Sequence, residues 1–356
     1  MAVLTYKCPN CGGGMVFHPE KQNYACEYCL SEFTQEELDA LTPAAQEEAA
    51  EEAPFDGSDT SETAEKGEAL IYTCPSCGAE IATDETTAAT FCYYCHNPVV
   101  LSGRLSGDQM PSLVVPFKIT QEEAKDRFVS WIGRKKYVPA AFFSKKQIEK
   151  LSGIYFPYWT YDCTMQGGLN GTARDVRVWR AGDMEYTETK VFSIRRAGEI
   201  SLRDISRNAL KKSQGKMMEG ILPFDLKEAK DFHTGFLSGF QAEVKDMEKE
   251  TFEAEVDEEA TGYVKNLLAG TVTSHGSFSA DHFHAEVKKG LWRYVLLPVW
   301  VLTYRSGGET YYFAMNGQTG QVCGKLPLDT KKLGITCAGI CAAITALVTL
   351  IGGLIL

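Results

Sequence analysis

Eight cysteines near the start of the chain form four Cys-x-x-Cys pairs, grouped in two sets of identical spacing. Both sets have the pattern C-x2-C-x14-C-x2-C. Two sulfurs of one Cys-x-x-Cys turn can bind the same ion, and fourteen residues suffice for a hairpin that brings the second pair to it. Four thiolates complete the tetrahedron that Zn²⁺ prefers in structural sites. We therefore predict two zinc ions, one per set, with the ligands Cys8, Cys11, Cys26 and Cys29, and Cys74, Cys77, Cys92 and Cys95.

Other uses of paired cysteines are redox chemistry, iron in a rubredoxin-like site, and burial without a ligand. Redox Cys-x-x-Cys motifs usually accompany a βαβ pattern, which this region lacks. A site with four thiolates leaves no open coordination position, which favours a structural role. Gly12 and Gly78 directly follow the first turn of each set, where they permit a left-handed backbone conformation.

The two sets are copies of one unit, since Tyr6 and Tyr28 of the first match Tyr72 and Tyr94 of the second. We expect zinc ribbon 1 at residues 1–33 and zinc ribbon 2 at 70–104. Between them, residues 34–69 form an acidic linker. Thr34 and Glu37 make a capping box that predicts a short helix. Beyond it the linker has little apolar surface to bury, so we expect it to be mostly disordered.

The charge of the chain argues against general nucleic-acid binding. Its formal charge is −11, and the first 69 residues hold 15 Asp/Glu and three Lys, a net of −12, which leaves about +1 for the rest. Affinity for nucleic acid depends largely on Lys and Arg contacts with phosphate. The start of the chain, MAVLTYKC, lacks an apolar signal-peptide core. Metal thiolates persist in reducing compartments, so we expect these domains to be cytoplasmic.

The last part of the chain predicts a membrane span. Residues 333–356 read LGITCAGICAAITALVTLIGGLIL, without a charge, and follow Lys331 and Lys332. As a helix they would extend about 36 Å, enough to cross a hydrocarbon core of about 30 Å. Flanking lysines favour the cytosolic side. We predict a single-pass tail anchor at 331–356 in the plasma membrane. The rows of small residues in this helix favour homo- or hetero-oligomers that form through it. The alternative is a helix buried in the core of the protein.

The middle of the chain, 105–330, contains a second internal similarity. VPFKITQEEAKDRF (115–128) resembles LPFDLKEAKDF (222–232), and YFPYWTYDCTMQGG (155–168) resembles LLPVWVLTYRSGG (296–308). This predicts two related halves, about 105–215 and 216–330. Helices are expected after Thr120 and over about 225–268, and hairpins around Ser306–Gly308 and Asn316-Gly317. The overall prediction is an α+β protein with two small zinc ribbons, a duplicated β-hairpin-rich α+β domain and one C-terminal transmembrane helix.

No catalytic pattern accompanies these elements. The chain has no GxxxxGK[ST] phosphate loop, HExxH or GxSxG. His282 and His284 would share one face of a strand with His275 nearby, which leaves open a hydrolase or transferase site there. Nothing at catalytic spacing accompanies the three histidines, so we expect the protein not to be an enzyme.

The motifs CPNCGGGM…CEYC and CPSCGAEI…CYYC resemble zinc ribbons of the transcription-factor-IIB type. With LLPVWVLTY, YYFAMNGQTGQVCGKLP and the C-terminal span, the chain resembles bacterial membrane-anchored tandem zinc-ribbon proteins. Members of that family are often described as PriA-helicase-like, although this chain lacks the helicase phosphate loop. The resemblance implies association with a second membrane protein, with proteins of the SPFH or virion-core type, and with a phage-shock-protein-A-type coat, in a membrane-stress assembly.

These observations favour a membrane-tethered zinc-ribbon adaptor or scaffold, with protein partners recruited to the inner face of the plasma membrane. In this hypothesis the ribbons extend on the acidic linker. The alternative is a membrane-attached nucleic-acid-binding protein of replication or transcription, which would need a basic face.

Overall fold

The computed structural model describes residues 5–41, 70–92, 94–213, 215–306 and 308–355. The predicted disorder at 42–69 lies outside these residues. The α-helices are α1 Gln35–Leu41, α2 Gln121–Gly133, α3 Lys145–Ile148, α4 Gly215–Glu219, α5 Glu253–Gly270 and α6 Thr330–Ile355. The strands are β1 Met15–His18, β2 Asn23–Cys26, β3 Glu32–Phe33, β4 Leu70–Thr73, β5 Glu80–Thr83, β6 Thr87–Phe91, β7 Pro98–Val100, β8 Leu113–Val114, β9 Ser152–Ala181, β10 Met184–Asn208, β11 Lys230–Asp231, β12 Gln241–Glu243, β13 Ser277–Ser306, β14 Glu309–Asn316 and β15 Val322–Lys325. The mixture confirms an α+β protein.

Two strands of 30 residues, β9 and β13, organise the largest sheet. They pair antiparallel from Ser152↔Val301 to Arg174↔Ser277. At about 3.3 Å per residue, each is roughly 100 Å long. Partners change along their length, since β13 pairs with β8 and then β14, whereas β9 pairs with β12 and then β10. The sheet therefore has a broad end near residue 300 and a narrow arm formed by β9, β10 and β13.

The predicted hairpin at the end of β13 is present. β13 and β14 meet at Ser306↔Glu309, and β9 turns into β10 through Gly182, whose φ of +63° is a conformation that glycine adopts without strain. The duplication itself stays a prediction, because Pro116-Phe117 precedes the 13-residue helix α2 whereas Pro223-Phe224 precedes only a 3₁₀ turn at Leu226–Glu228.

Helix α2 begins after Thr120, as predicted. The side chain of Thr120 accepts a hydrogen bond from the backbone N–H of Glu123 (3.2 Å). Ala124, Phe128 and Ile132 then recur on one face and are buried in the main core. The spacing of these three residues is that of an amphipathic helix covering a sheet.

Replacing this cap tests the contribution of local sequence to the fold. We expect Thr120→Ala to lower the free energy of unfolding by about 1 kcal/mol, because the N–H of Glu123 loses its acceptor. Chemical denaturation of the full chain in detergent measures the loss. Ser130→Ala, on the exposed face of α2, is the matched control and should change stability little. Equal stability of the two variants would contradict the role of the cap.

The helix predicted over about 225–268 is wrong for its first half. Within that range only residues from Glu253 onward are α-helical, and Val256, Ala260, Val264 and Leu268 form the buried face of α5. The segment 233–240 is instead a 3₁₀ turn and loop, in which Gly239 has a φ of +89°. A left-handed conformation interrupts a helix, so the predicted helix cannot continue through this segment.

Candidate metal centres

The first set of four cysteines forms one compact cluster. The sulfur atoms of Cys8, Cys11, Cys26 and Cys29 all lie within 4.8 Å of one another. Two of these distances, Cys8 Sγ to Cys29 Sγ and Cys11 Sγ to Cys26 Sγ, are 3.5 Å. Four ligands at about 2.3 Å from a tetrahedral ion stand about 3.8 Å apart, so the donor set fits one such metal ion. None of the four forms a disulfide.

The second set forms a matching cluster. Cys74, Cys77, Cys92 and Cys95 also lie within 4.8 Å of one another. The distances from Cys74 Sγ to Cys95 Sγ and from Cys77 Sγ to Cys92 Sγ are 3.7 Å. The structure thus brings together all eight predicted ligands, as two groups that could each hold a metal ion.

All four cysteine turns share the same backbone hydrogen bonds. In each turn the N–H four residues after the first cysteine donates to that cysteine's carbonyl, over 2.8 to 3.0 Å. The first cysteine's own N–H donates to the carbonyl five residues on, over 2.7 to 3.0 Å. The residue after each second cysteine has a left-handed φ: Gly12 at +74°, Leu30 at +58°, Gly78 at +76° and His96 at +58°.

Leu30 and His96 are the residues that sequence reasoning missed. Glycine at the first turn of each ribbon signals the left-handed position, but the second turns carry a leucine and a histidine there. A non-glycine residue with positive φ is uncommon, and it persists where surrounding interactions fix the turn. The signal in the sequence was that Leu30, like Gly12, directly follows the second cysteine of a Cys-x-x-Cys turn, which indicates the same left-handed conformation at both positions.

Hydrogen bonds favour a thiolate at one cysteine of each cluster, whereas the pKa of Cys95 is raised by burial and, against a hydrogen bond from Gly13, that of Cys11 by its contacts with Cys29 and Cys26. The hydroxyl of Ser31 lies 3.2 Å from Cys29 Sγ, and hydrogen bonds with this hydroxyl and then with the backbone N–H of Ser31 lower the pKa of Cys29 to about 6. Burial raises the pKa of Cys92, but backbone N–H groups of Cys95 and Tyr94 lower it to about 7. Such donors also stabilise sulfur that is bound to a metal.

Acid should weaken the binding of a metal ion at the first cysteine cluster. A thiol whose pKa falls on folding stabilises the fold above its ordinary pKa, and this stabilisation disappears as the pH falls through the lowered value. For Cys29 that window extends from 9.0 down to about 6. Protons compete with the metal for the same thiolates, so we expect the affinity of ribbon 1 for its ion to fall as the pH falls through about 6. Competition with a chelator at each pH measures this, and an affinity that stays constant below that pH would contradict it.

Ribbon 1 packs against the segment 233–240 and Phe117, in contrast to the extended ribbons of the sequence-based hypothesis. The backbone N–H of Phe17 donates to the carbonyl of Ser238 (3.0 Å), and its ring meets Phe236 edge-on at 5.2 Å. Gln22 Nε2 donates to the carbonyl of Phe117 (2.7 Å). The core shared by the ribbon and the segment 233–240 contains Cys8, Met15, Phe17, Tyr24, Cys26, Leu38, Phe236, Leu237 and Phe240.

Ribbon 2 is continuous with the large sheet. Its strands β6 and β7 pair with each other, and β6 pairs with β12 through Ala89↔Ala242. The second centre therefore lies at the edge of the ten-stranded sheet. These contacts correct the hypothesis that both ribbons extend freely on the acidic linker. Apolar residues of both ribbons are buried against the domain, and exposing them would cost free energy.

The three histidines do not form one site. His275 Nδ1 lies 3.1 Å from Asp175 Oδ2, and its ring packs on Phe192 with centroids 4.5 Å apart. The N–H of Gly276 and then His275 lower the pKa of Asp175. His282 and His284 are two residues apart on β13, as predicted. Within the described part of the chain, only the two cysteine sets qualify as metal-binding groups.

Helix α6 is long and apolar enough to cross a membrane. Its stretch Thr330–Thr349 has a mean hydropathy of 1.7, and none of it is buried against the rest of the protein. At its start, the backbone N–H of Asp329 donates to the carbonyl of Tyr137 (2.7 Å), and Lys332 Nζ donates to that of Val138 (3.0 Å). These contacts join the helix to the domain.

Comparison with known proteins identifies a relative of nearly the same length. The chain is 30% identical over 338 residues, 95% of its length and 94% of the relative's, to the Bacillus subtilis (strain 168) protein described as uncharacterized protein YdjG. No protein-family model matches the chain, and no solved structure matches it either.

Proposed function

This chain belongs to the family of the Bacillus subtilis protein YdjG, and on that premise we propose that it is a non-enzymatic, membrane-tethered zinc-ribbon adaptor. It recruits protein partners to the inner face of the plasma membrane. Nucleic acid is not among its partners in this proposal, since the charge of −11 opposes phosphate binding.

Zinc is the ion that we propose for both centres. The four-sulfur donor sets and their spacing suit a closed tetrahedral site, which zinc occupies in small structural domains. Neither set leaves a position for substrate or water, which supports a structural and not a catalytic role. The zinc ions would hold the four cysteine turns in their matching conformations.

The observation that carries the proposal is the exposure of apolar side chains at the tips of these turns. Tyr28 is 70% exposed, Leu30 79% and Tyr94 72%. Tyr28 and Tyr94 occupy equivalent positions, each directly before a metal-binding cysteine. Tyrosine is enriched among residues that dominate binding energy in protein interfaces. Turns that metal holds rigid offer such side chains without a large ordering cost on binding.

Helix α6 is the proposed tether. Lys331 and Lys332 precede the apolar stretch and favour a cytoplasmic position for the ribbons and the sheet. Confinement to a membrane raises the effective concentration of the ribbon surface toward other membrane-bound partners. Following the family resemblance, we propose a second membrane protein and proteins of the SPFH and phage-shock-protein-A types as partners, in a membrane-stress complex.

Affinity purification from crosslinked membranes tests the ribbon surface. The test variant combines Tyr28→Ala, Leu30→Asn and Tyr94→Ala; asparagine tolerates the left-handed backbone at position 30, so the turns keep their shape. Leu291→Ala, which removes an apolar side chain of 56% exposure from the large sheet, is the matched control.

We expect the triple variant to keep both metal ions and its membrane location but to lose partners that the wild type and the control recover. Partner recovery unchanged in the triple variant would contradict a docking role for the turns.

A further inference from the structure

The end of the arm is a two-stranded hairpin of β9 and β10 that no other layer covers in the described residues. β13 begins at Ser277, opposite Arg174, and beyond this point β9 and β10 continue as a pair to the turn at Gly182. Helix α5 ends at Gly270, and the residue after it, Thr271, accepts a hydrogen bond at Oγ1 from Arg196 Nε (3.2 Å). Isolated two-stranded ribbons are only marginally stable in water. Additional pairing would therefore stabilise this end of the arm.

Apolar side chains are exposed on both faces of this hairpin. Trp179 stacks on Tyr186 with ring centroids 5.7 Å apart, yet both residues are at least 40% exposed. On the opposite face, Val178 and Val191 are 54% and 63% exposed. Met184, beside the turn, is 60% exposed. Exposed apolar groups concentrated in one place mark a surface for binding.

One edge of the arm is formed by β10. In the described residues β10 pairs only with β9, so one side of its backbone is available along the strand. Unpaired edges accept further strands, and native proteins usually protect them with charges, prolines or bulges. The register of β10 with β9 is unbroken from Met184 to Leu202, and its first bulge comes after that.

The sequence of this edge is complementary to itself when read antiparallel. The segment Met184–Ile194 reads MEYTETKVFSI, with Thr189 at its centre. An antiparallel second copy centred on Thr189 would align residues that are equidistant from it. The aligned pairs are Glu188 with Lys190, Thr187 with Val191, Tyr186 with Phe192, Glu185 with Ser193, and Met184 with Ile194.

These pairs are of the kinds that stabilise sheets. Equidistant residues point to the same face of the joined sheet, so each side chain meets its counterpart. Aromatic pairs, opposite charges and Thr–Thr contacts each stabilise an antiparallel pair, whereas like charges facing each other destabilise it. A shift of the centre to Glu188 or to Lys190 would place like charges opposite each other. The charges thus favour the register centred on Thr189 over these two neighbouring registers.

We propose that a second copy of this chain docks on the β10 edge, with the two β10 strands antiparallel and Thr189 opposite Thr189 of the second copy. The two arms then join into one continuous sheet about a two-fold axis perpendicular to it. Charge complementarity within the segment favours a second copy as the occupant. A lipid surface is disfavoured, because the charges of Arg177, Arg180, Asp183 and Glu185 at this tip sum to zero and give no net attraction to anionic headgroups.

Charge reversal with rescue tests the interface in the full chain, purified in detergent and analysed by size-exclusion chromatography with light scattering. Glu188→Lys places lysine opposite Lys190, and Lys190→Glu places glutamate opposite Glu188. The double variant restores opposite charges. Glu286→Lys is the matched control: Glu286 lies 3.1 Å from Lys288 on β13, much as Glu188 lies 3.9 Å from Lys190 within one chain.

We expect dimers for the wild type, dissociation constants roughly tenfold higher for each single reversal, and recovery in the double variant. The control should dimerise like the wild type. A monomeric wild type would overturn the proposal. Dimers whose dissociation constant the single reversals leave unchanged would also overturn it, because another surface such as α6 would then hold the two copies together. Failure of the double variant to recover would overturn the register.

Discussion

Replacing Cys26 with serine is expected to remove the metal of ribbon 1 and loosen the domain beneath it. Cys26 is buried with Cys8 in the core that also contains Phe236 and Phe240. A structural zinc ion stabilises a small domain by roughly 10 kcal/mol, so loss of a ligand should unfold much of ribbon 1 despite its packing against the segment 233–240. Loss of the ribbon then uncovers the segment 233–240. The effect should therefore extend beyond the altered residue.

Metal analysis and hydrogen exchange measure the two parts of this prediction. The metal content should fall from two ions per chain to one, with faster exchange at the N–H groups of Phe236 to Ala242. Cys337→Ser is the matched control: Cys337 is exposed on α6, outside both clusters, and its loss should change neither quantity. Two ions in the Cys26→Ser variant would contradict the ligand assignment, and unchanged exchange would contradict the packing.

Removing residues 333–356 is expected to move the protein from the membrane fraction to the soluble fraction. None of the apolar stretch of α6 is buried in the protein, so its transfer into lipid is the available way to remove that surface from water. The deletion keeps Asp329 and Lys332, whose bonds to Tyr137 and Val138 belong to the domain. The rest of the fold should therefore persist.

Fractionation of cell membranes, with a salt wash, measures this change. A chain in which the deleted residues are replaced by an unrelated leucine-rich span of the same length is the control, and it should return to the membrane. A shortened chain that stays membrane-bound after the salt wash would show that another part of the protein holds it there.

The two cysteine clusters could be predicted from sequence because each one is local. Both pairs of a set lie within 22 residues, and chemistry alone relates cysteine spacing to a shared ion. The N-cap at Thr120 and the hairpin at Ser306 are local in the same sense. The left-handed turns at Leu30 and His96 escaped prediction because neither residue type signals that conformation.

The packing of ribbon 1 depends on contacts between distant parts of the chain. Phe17 and Ser238 are more than 200 residues apart, and no periodicity in either segment indicates the other. The segment 233–240 falls within the helix predicted over about 225–268, but its apolar side chains pack against ribbon 1 instead. The pairing of β6 with β12 is likewise set by tertiary structure, which often overrides local preference.

Site-specific photocrosslinking in native membranes tests the adaptor function most directly. A photoreactive amino acid replaces Tyr28 or Tyr94 in the full chain, with Leu291 as the control position. The adaptor function predicts defined protein adducts from positions 28 and 94 that are absent from position 291. The adducts from position 28 should also disappear in the Cys26→Ser background. Metal-loaded, membrane-bound protein that forms no adducts from either tyrosine position would contradict the adaptor function.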